Sequence, residues 1–202
     1  MRVVYPALQS TWLDVDQKVK PTSTVKTFGS ISRLVSRKGH DVILQALGEL
    51  KQDFKFRYLI GGIGPEEENL RQLVKTLNLE NNVVFLGKVA EENLIKFYDS
   101  LDVYIMLNRI EYGDVEGFGY SFAEAAARYI PSIGGANGGA VEAISANGGF
   151  LVDTEDLDQV KDAIISYIKS DRLIQEHGIN ANMFCRRNFS LEKMVNSFLC
   201  EI

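Results

Sequence analysis

Phe54-Lys-Phe-Arg-Tyr-Leu-Ile-Gly-Gly-Ile-Gly-Pro-Glu-Glu-Glu68 is the stretch that decides how this chain folds. Its first half, 54–60, is an apolar run too short for a helix and suited to a strand. Gly61, Gly62 and Gly64 then break the run. Pro65 followed by Glu66, Glu67 and Glu68 is a helix start, because proline lacks only an amide the first turn does not use and the acids face the positive end of the helix dipole. The stretch is therefore a strand, a glycine turn and the opening of a helix.

The same unit repeats on both sides of it. Strands are expected over 25–31, 83–86, 101–106, 131–134 and 149–152. Helices are expected over 40–50, 91–100, 119–129 and 140–145, with three more over 156–169, 171–187 and 191–199 near the end of the chain. Within 40–50, Val42, Ile43, Ala46, Leu47 and Leu50 share one helical face. Short apolar strands alternating with amphipathic helices give an α/β fold, a parallel sheet with helices on both faces. Residues 1–24 read as an arm, in which Val3, Val4 and Tyr5 precede Pro6 and the lone Trp12, and residues 25–202 as one domain with additional C-terminal helices.

In open parallel sheets ligands bind beyond the carboxyl ends of the strands, so the residues just past each strand carry the functional reading. Strand 25–31 leads into Arg33 and Lys38, strand 54–60 into Gly61–Gly64, and strand 83–86 into Gly87, Lys88 and Val89. Strand 101–106 leads to the loop that ends at Glu116, and strand 131–134 to Asn137-Gly-Gly139. Glycine turns, basic side chains and carboxylates thus collect at one edge.

Composition bounds the chemistry. The chain has 202 residues, 46% of them hydrophobic, enough for one well-buried domain. A net charge of −5 supplies no global field for nucleic acid, so phosphate binding has to come from local cations. No apolar run approaches the ~18 residues that cross a bilayer, and Pro6 interrupts the few apolar residues after Met1-Arg2, so a cytoplasmic protein is expected. Cys185 and Cys200 are expected to be free thiols. His40 and His177 are the only histidines and lack metal-ligand spacing, so both are expected to be structural and no metal site is expected.

Glu116-Gly-Phe-Gly-Tyr-Ser-Phe-Ala-Glu124 holds the densest chemistry: two carboxylates around a glycine turn that opens a helix whose Ala-rich run, Ala123 and Ala125–Ala127, demands close packing. A helix N-terminus is an anion site, and flanking carboxylates accept hydrogen bonds from sugar hydroxyls, a pairing suited to a nucleotide-sugar. The plain alternative is that Glu116 and Glu124 only favour the helix start. Arg33 and Lys38 are either the cations a pyrophosphate needs, Arg as a fork and Lys as a point charge, or part of a solvated basic loop, and Arg37 reads as solvated. Gly61-Gly-Ile-Gly64 does not match a dinucleotide G-x-G-x-x-G, which comes after a first strand with an acid about 20 residues on; Gly62 marks a close approach to a ligand or a plain tight turn. Gly138 and Gly139 before Ala140-Val-Glu142 form a second anion cradle or a flexible connection. Asp14-Val-Asp16 and Asp156-Leu-Asp158 both have the D-x-D spacing of metal-dependent sugar transferases, but the first lies in the arm and the second opens a helix, so both read as structural.

The ordered set resembles the C-terminal, donor-binding half of a GT-B glycosyltransferase of the large retaining family four, with its Rossmann-like sheet. The carriers are Ser30-Ile-Ser-Arg-Leu-Val35 with Lys38-Gly39, Ile60-Gly-Gly-Ile-Gly-Pro65, Val84-Phe-Leu-Gly-Lys-Val89, Leu101-Asp-Val-Tyr-Ile105, the Glu-x7-Glu of Glu116 and Glu124, and Ala136-Asn-Gly-Gly139 with Glu142. The likeness runs from about Val3 to the end of the sheet, and Asp114-Val-Glu-Gly-Phe-Gly119 most resembles phosphatidylinositol mannosyltransferase-like members.

The resemblance implies retaining transfer of a hexose from a UDP- or GDP-hexose to an acceptor hydroxyl, with no cofactor and no metal. It implies that Arg33 and Lys38 hold the diphosphate, that Glu116 lies near the donor sugar, and that Glu124 bonds the ribose. Backbone amides of Gly117, Phe118 and Gly119, leading into Tyr120, would surround sugar and phosphate, and Lys88-Val89 would touch the base. It also implies an N-terminal acceptor-binding domain, of which this sequence holds only the segment Val3-Val4-Tyr5-Pro6, and any membrane contact would lie in that other half. Phe184, Phe189 and Phe198 are then expected to be exposed. The chain departs from the family at Ser30-Ile-Ser32, where glycine, a small residue and arginine are frequent. A sugar-nucleotide epimerase half and a non-catalytic nucleotide-sugar-binding domain are the competing readings.

Overall fold

The structure, a computed structural model, describes residues 5–13, 15, 23–111 and 117–199. Glu116, Asp114, Asp14, Asp16, Val3, Val4 and Cys200 lie outside the described residues. The strands are β1 Lys26–Ile31, β2 Phe56–Gly61, β3 Val83–Gly87, β4 Val103–Met106, β5 Ser132–Gly135 and β6 Gly149–Val152. They form one parallel sheet in the order β3-β2-β1-β4-β5-β6. The chain winds outward in one direction from β1, then returns to β4 and winds in the other. In register, Gly29 of β1 stands beside Leu59 of β2 on one side and Tyr104 of β4 on the other.

Period-2 alternation sorts the central side chains onto two faces. Val103 and Ile105 of β4 enter one core with α2 His40–Leu50, α3 Glu67–Thr76 and α7 Leu157–Lys169. Tyr104 and Met106 enter the other, with α4 Glu91–Asp99, α5 Tyr120–Ala127 and α6 Ala140–Ala143. All four are buried, as the central strand of a doubly covered sheet requires.

The alanine run of α5 is explained by α8 Asp171–Asn188, which lies against it. Ala123, Ala126 and Ala127 pack with Ala181 and Cys185, and Asn182 donates to the carbonyls of Ala126 and Ala127 at 3.2 and 2.9 Å. Larger side chains on α5 would push α8 away. Burial pushes the Cys185 thiol up to about 12.

The arm contains a short helix the sequence reading did not anticipate, α1 Ser10–Leu13. Leu8 is buried, and its amide donates to Phe189 O at 2.9 Å. This corrects one expectation. Phe198, on α9 Leu191–Leu199, is exposed and Phe184 is half-buried, but Phe189 is 1% exposed. The arm covers it through Tyr5, whose ring stands 5.7 Å away, and Phe118 packs beside it at 5.0 Å. Burying a phenylalanine contributes about 1.5–3 kcal/mol, so the arm has reason to stay docked.

The structural readings of the other singled-out residues have local explanations. Asp156 caps α7 by accepting from the Gln159 amide at 3.1 Å. His177 bonds the Tyr167 hydroxyl at 2.8 Å. No helix among the described residues is long and apolar enough to cross a membrane.

Candidate functional site

At the carboxyl edge of the sheet, where β1 and β4 diverge into opposite windings, lies a cleft of about 600 Å³. Its walls come from four connections. Ile31, Ser32 and Arg33 lie at the end of β1; Gly62, Ile63, Gly64 and Pro65 come after β2; Lys88, Val89 and Leu94 come after β3; and Ser121 and Glu124 belong to α5. Arg33, Gly62, Lys88, Val89 and Glu124, read from the sequence as site residues, therefore share one cavity.

The turns reach this edge because glycine lets backbones touch. Gly62 has φ +123, and a methyl group there would overlap the Ser32 carbonyl. The turn after β2 is thereby pressed onto the turn after β1, and Ser32 N–H donates to Gly61 O at 3.0 Å. Gly62 is thus a tight chain contact, and it also lines the cleft. In the other half of the sheet, a Cβ on Gly139 would stand 2.5 Å from Gly119 N. Gly138, with φ 51, and Gly139 thus lie against the N-terminus of α5, which no side chain among the described residues caps.

Not every expected residue faces the cleft. Lys38 is buried in a single turn of 3-10 helix, Ser36–Lys38, outside the cleft's lining. That turn is tied to the chain beyond β4, since Arg109 N–H donates to Arg37 O at 2.8 Å and the Arg109 guanidinium reaches Ser36 O and Asp41 at 2.7 and 2.9 Å. Phe118 packs on Tyr5 and Phe189, and the Tyr120 hydroxyl donates to Ala7 O at 3.2 Å. Their side chains bind the arm, leaving only their backbone for the site. Gly117 is exposed at the rim of α5.

Two buried networks support the walls. Ser32 Oγ meets His40 Nε2 at 3.0 Å, His40 Nδ1 meets the Tyr58 hydroxyl at 3.0 Å, and that hydroxyl meets Ser30 Oγ at 2.8 Å. Ser30 in turn donates to Ile105 O. Burial pushes His40 down to about 4, with Lys38 adding and Asp41 opposing, so the ring is neutral at pH 7. In the second network Tyr98 Oη donates to Glu124 Oε2 at 2.7 Å. Burial raises the Glu124 carboxyl above its ordinary range and this hydrogen bond pulls it back.

Sequence reasoning noted Ser32 only as a departure from the family and did not name Ser32, Ile63, Leu94, Ser121 or Tyr98 as site residues. Ser32 and Ser121 lie next to singled-out residues, a signal that was available. Tyr98 gave none, since an aromatic on the inner face of a helix reads as core.

The match to known proteins is extensive. The family model described as glycosyl transferases group 1 matches residues 14–183. A GDP-mannose-dependent alpha-(1-6)-phosphatidylinositol monomannoside mannosyltransferase of Mycobacterium tuberculosis is 37% identical over 71% of this chain and 39% of its own length. The chain therefore spans about 39% of that relative. A solved glycosyltransferase from Rickettsia africae superposes with a TM-score of 0.82 at 25% identity, covering 99% of this chain and 56% of the other. Anabaena HepE, solved in complex with UDP and glucose, superposes with a TM-score of 0.77 at 22% identity, covering 89% of this chain and 49% of its own. At that identity the likeness concerns the fold.

Proposed function

The chain belongs to the family of group 1 glycosyl transferases, and on that premise we propose that it is the donor-binding part of a retaining hexosyltransferase that uses a nucleotide-diphosphate hexose. The observation that carries the reading is the meeting of Arg33 and Glu124, which come from opposite windings of the sheet, on one cleft at the switch point. Its volume of about 600 Å³ falls within the range of small-molecule sites.

The residues divide the donor between them. Arg33 holds the diphosphate, and Lys38 adds positive charge behind the turn. As the glycosidic bond breaks, negative charge grows on the leaving diphosphate, and cations fixed there stabilise the transition state more than the ground state. No metal is needed for that role. Glu124 accepts from the ribose, Lys88 and Val89 offer backbone groups to the base, and the amides of Gly117, Phe118 and Gly119 turn toward sugar and phosphate. The side chain assigned to the sugar is Glu116. The acceptor would be held by protein beyond the 39% of the mycobacterial relative that this chain spans, so the whole reaction needs both parts.

Two relatives support the two donor series read from the sequence. The mycobacterial enzyme is named as GDP-mannose-dependent, which favours guanosine, while HepE is solved with UDP. Calorimetric titration of the folded chain with GDP and UDP tests the reading. Binding of one of them in the micromolar to low millimolar range is expected, and Arg33→Ala should weaken it. A folded chain that binds neither at millimolar concentration contradicts the proposal.

A further inference from the structure

We propose that Tyr98 is the positioning residue of the ribose-binding carboxylate: it clamps one oxygen of Glu124 so that the other alone is presented to the cleft. The inference rests on the nucleotide-sugar reading and deepens it, because a carboxylate that discriminates a ribose has to be held in one orientation.

The geometry is specific. Tyr98 comes from α4 and Glu124 from α5, yet Tyr98 Oη stands 2.7 Å from Glu124 Oε2, the length of a charge-assisted O–H···O⁻ bond. Tyr98 is fully buried. Its ring is walled by Phe97 at 5.3 Å, by Tyr104 at 5.6 Å and, edge to face, by Trp12 of α1 at 5.6 Å. A tyrosine so enclosed has no rotamer freedom, so its hydroxyl is a fixed point. Glutamate has three rotatable bonds and, on a half-buried helix face, would otherwise sample several orientations. Neighbouring Tyr104 does not share the task, since its hydroxyl donates to Ile31 O at 3.2 Å. Tyr98 is the only hydrogen-bond donor to Glu124 among the described residues.

The clamp has a second effect. Burial pushes the Glu124 carboxyl up, toward the neutral acid, and the Tyr98 hydrogen bond opposes that shift. The other ionisable groups facing Glu124 are Tyr104 of β4 and Tyr120 of its own helix, with Arg33 and Lys88 across the cleft. Burial pushes both tyrosines further up, so they are neutral near pH 7. Loss of the Tyr98 hydroxyl therefore moves the protonation of Glu124 to higher pH.

The test compares GDP and UDP with their 2′,3′-dideoxy counterparts, titrated into the unsubstituted chain and into Tyr98→Phe, which keeps the ring. Tyr98→Phe should lower the preference for the ribose form about tenfold, in line with a hydrogen bond to a charged group, and leave dideoxy affinity within about twofold. On acidification, the ribose preference should vanish at higher pH in Tyr98→Phe than in the unsubstituted chain. The Glu124 δ-carbon titration, followed by NMR without ligand, should move the same way. An equal ribose preference in two proteins that both bind, or an unmoved carboxyl titration, overturns the clamp. Absence of any binding by the folded, unsubstituted chain is a different outcome: it overturns the nucleotide reading, and the proposal with it. Should Tyr98→Phe not fold, Glu124→Gln takes its place, with the ribose preference expected to become independent of pH; pH dependence like that of the unsubstituted chain would overturn the assignment.

Discussion

The two windings of the sheet build the same junction and give it opposite charge. In the β1–β2–β3 half, the turn after the second strand presses on the turn after the first, with Gly62 against the Ser32 carbonyl. In the β4–β5–β6 half, Gly139 presses on the backbone at Gly119, where the chain beyond β4 re-enters as α5. The first half furnishes Arg33 and Lys88 to the cleft, and the second furnishes Glu124. Cations on one side suit a diphosphate, and a carboxylate on the other suits sugar hydroxyls. Glycine-forced packing is thus a property of the architecture, whereas charge is the property that assigns the ligand.

Breaking the junction should have the largest effect. Gly62→Ala adds a methyl group where the Ser32 carbonyl already stands, at a φ that only glycine takes readily. A loss of about 3 kcal/mol or more in urea-denaturation stability is expected. Gly117→Ala provides the contrast, because nothing among the described residues lies within 4 Å of an added Cβ there, and its cost should stay within about 0.5 kcal/mol.

The next effect belongs to the first half alone. His40 is depressed to about 4 when folded and lies near 6.5 when unfolded. As pH falls, the unfolded chain takes up the proton first, so stability is complete above pH 6.5 and is lost between 6.5 and 4, by up to about 3 kcal/mol. Denaturation midpoints at pH 7 and 4.5 should separate the unsubstituted chain from His40→Gln, in which that added pH dependence disappears.

The ligand then separates the halves. Arg33→Ala should weaken a nucleoside diphosphate by roughly 10- to 100-fold, corresponding to about 1.5–3 kcal/mol for a hydrogen bond with a charged partner, and leave the bare nucleoside unaffected. Glu124→Ala should weaken both. Equal losses for nucleoside and diphosphate in Arg33→Ala would mean that charge is not divided between the halves as the cleft suggests.

Much of this was legible in the sequence, for identifiable reasons. Every strand, and the start of every α-helix, from residue 25 onward was expected within two or three residues, because fully buried parallel strands are short apolar runs and each ends at a glycine, proline or charged turn. Arg33, Gly62, Lys88 and Val89 came from one rule, that ligands lie beyond the strands' carboxyl ends, and Glu124 from the pair of carboxylates around a glycine turn. What was not legible depends on contacts between distant segments. Phe189 was expected to be exposed because the C-terminal helical region was read as packing on the acceptor-binding domain; it is buried because Leu8 and Tyr5, more than 180 residues earlier in the chain, cover it. The role given to Tyr98 rests on a partner 26 residues away, and no periodicity distinguishes its hydroxyl from a phenyl ring in the core. Lys38 was read as facing the ligand beside Arg33, yet the 3-10 turn carries it away from the cleft's lining. The role of Glu116 at the sugar comes from the resemblance.

Amide chemical-shift mapping tests the central claim most directly. On titration with the nucleoside diphosphate that binds, the account expects perturbations at Ser32, Arg33, Gly62, Lys88 and Val89 together with Ser121 and Glu124, and none along α9. Perturbations confined to one winding of the sheet, or centred on residues that do not line the cleft, would contradict it.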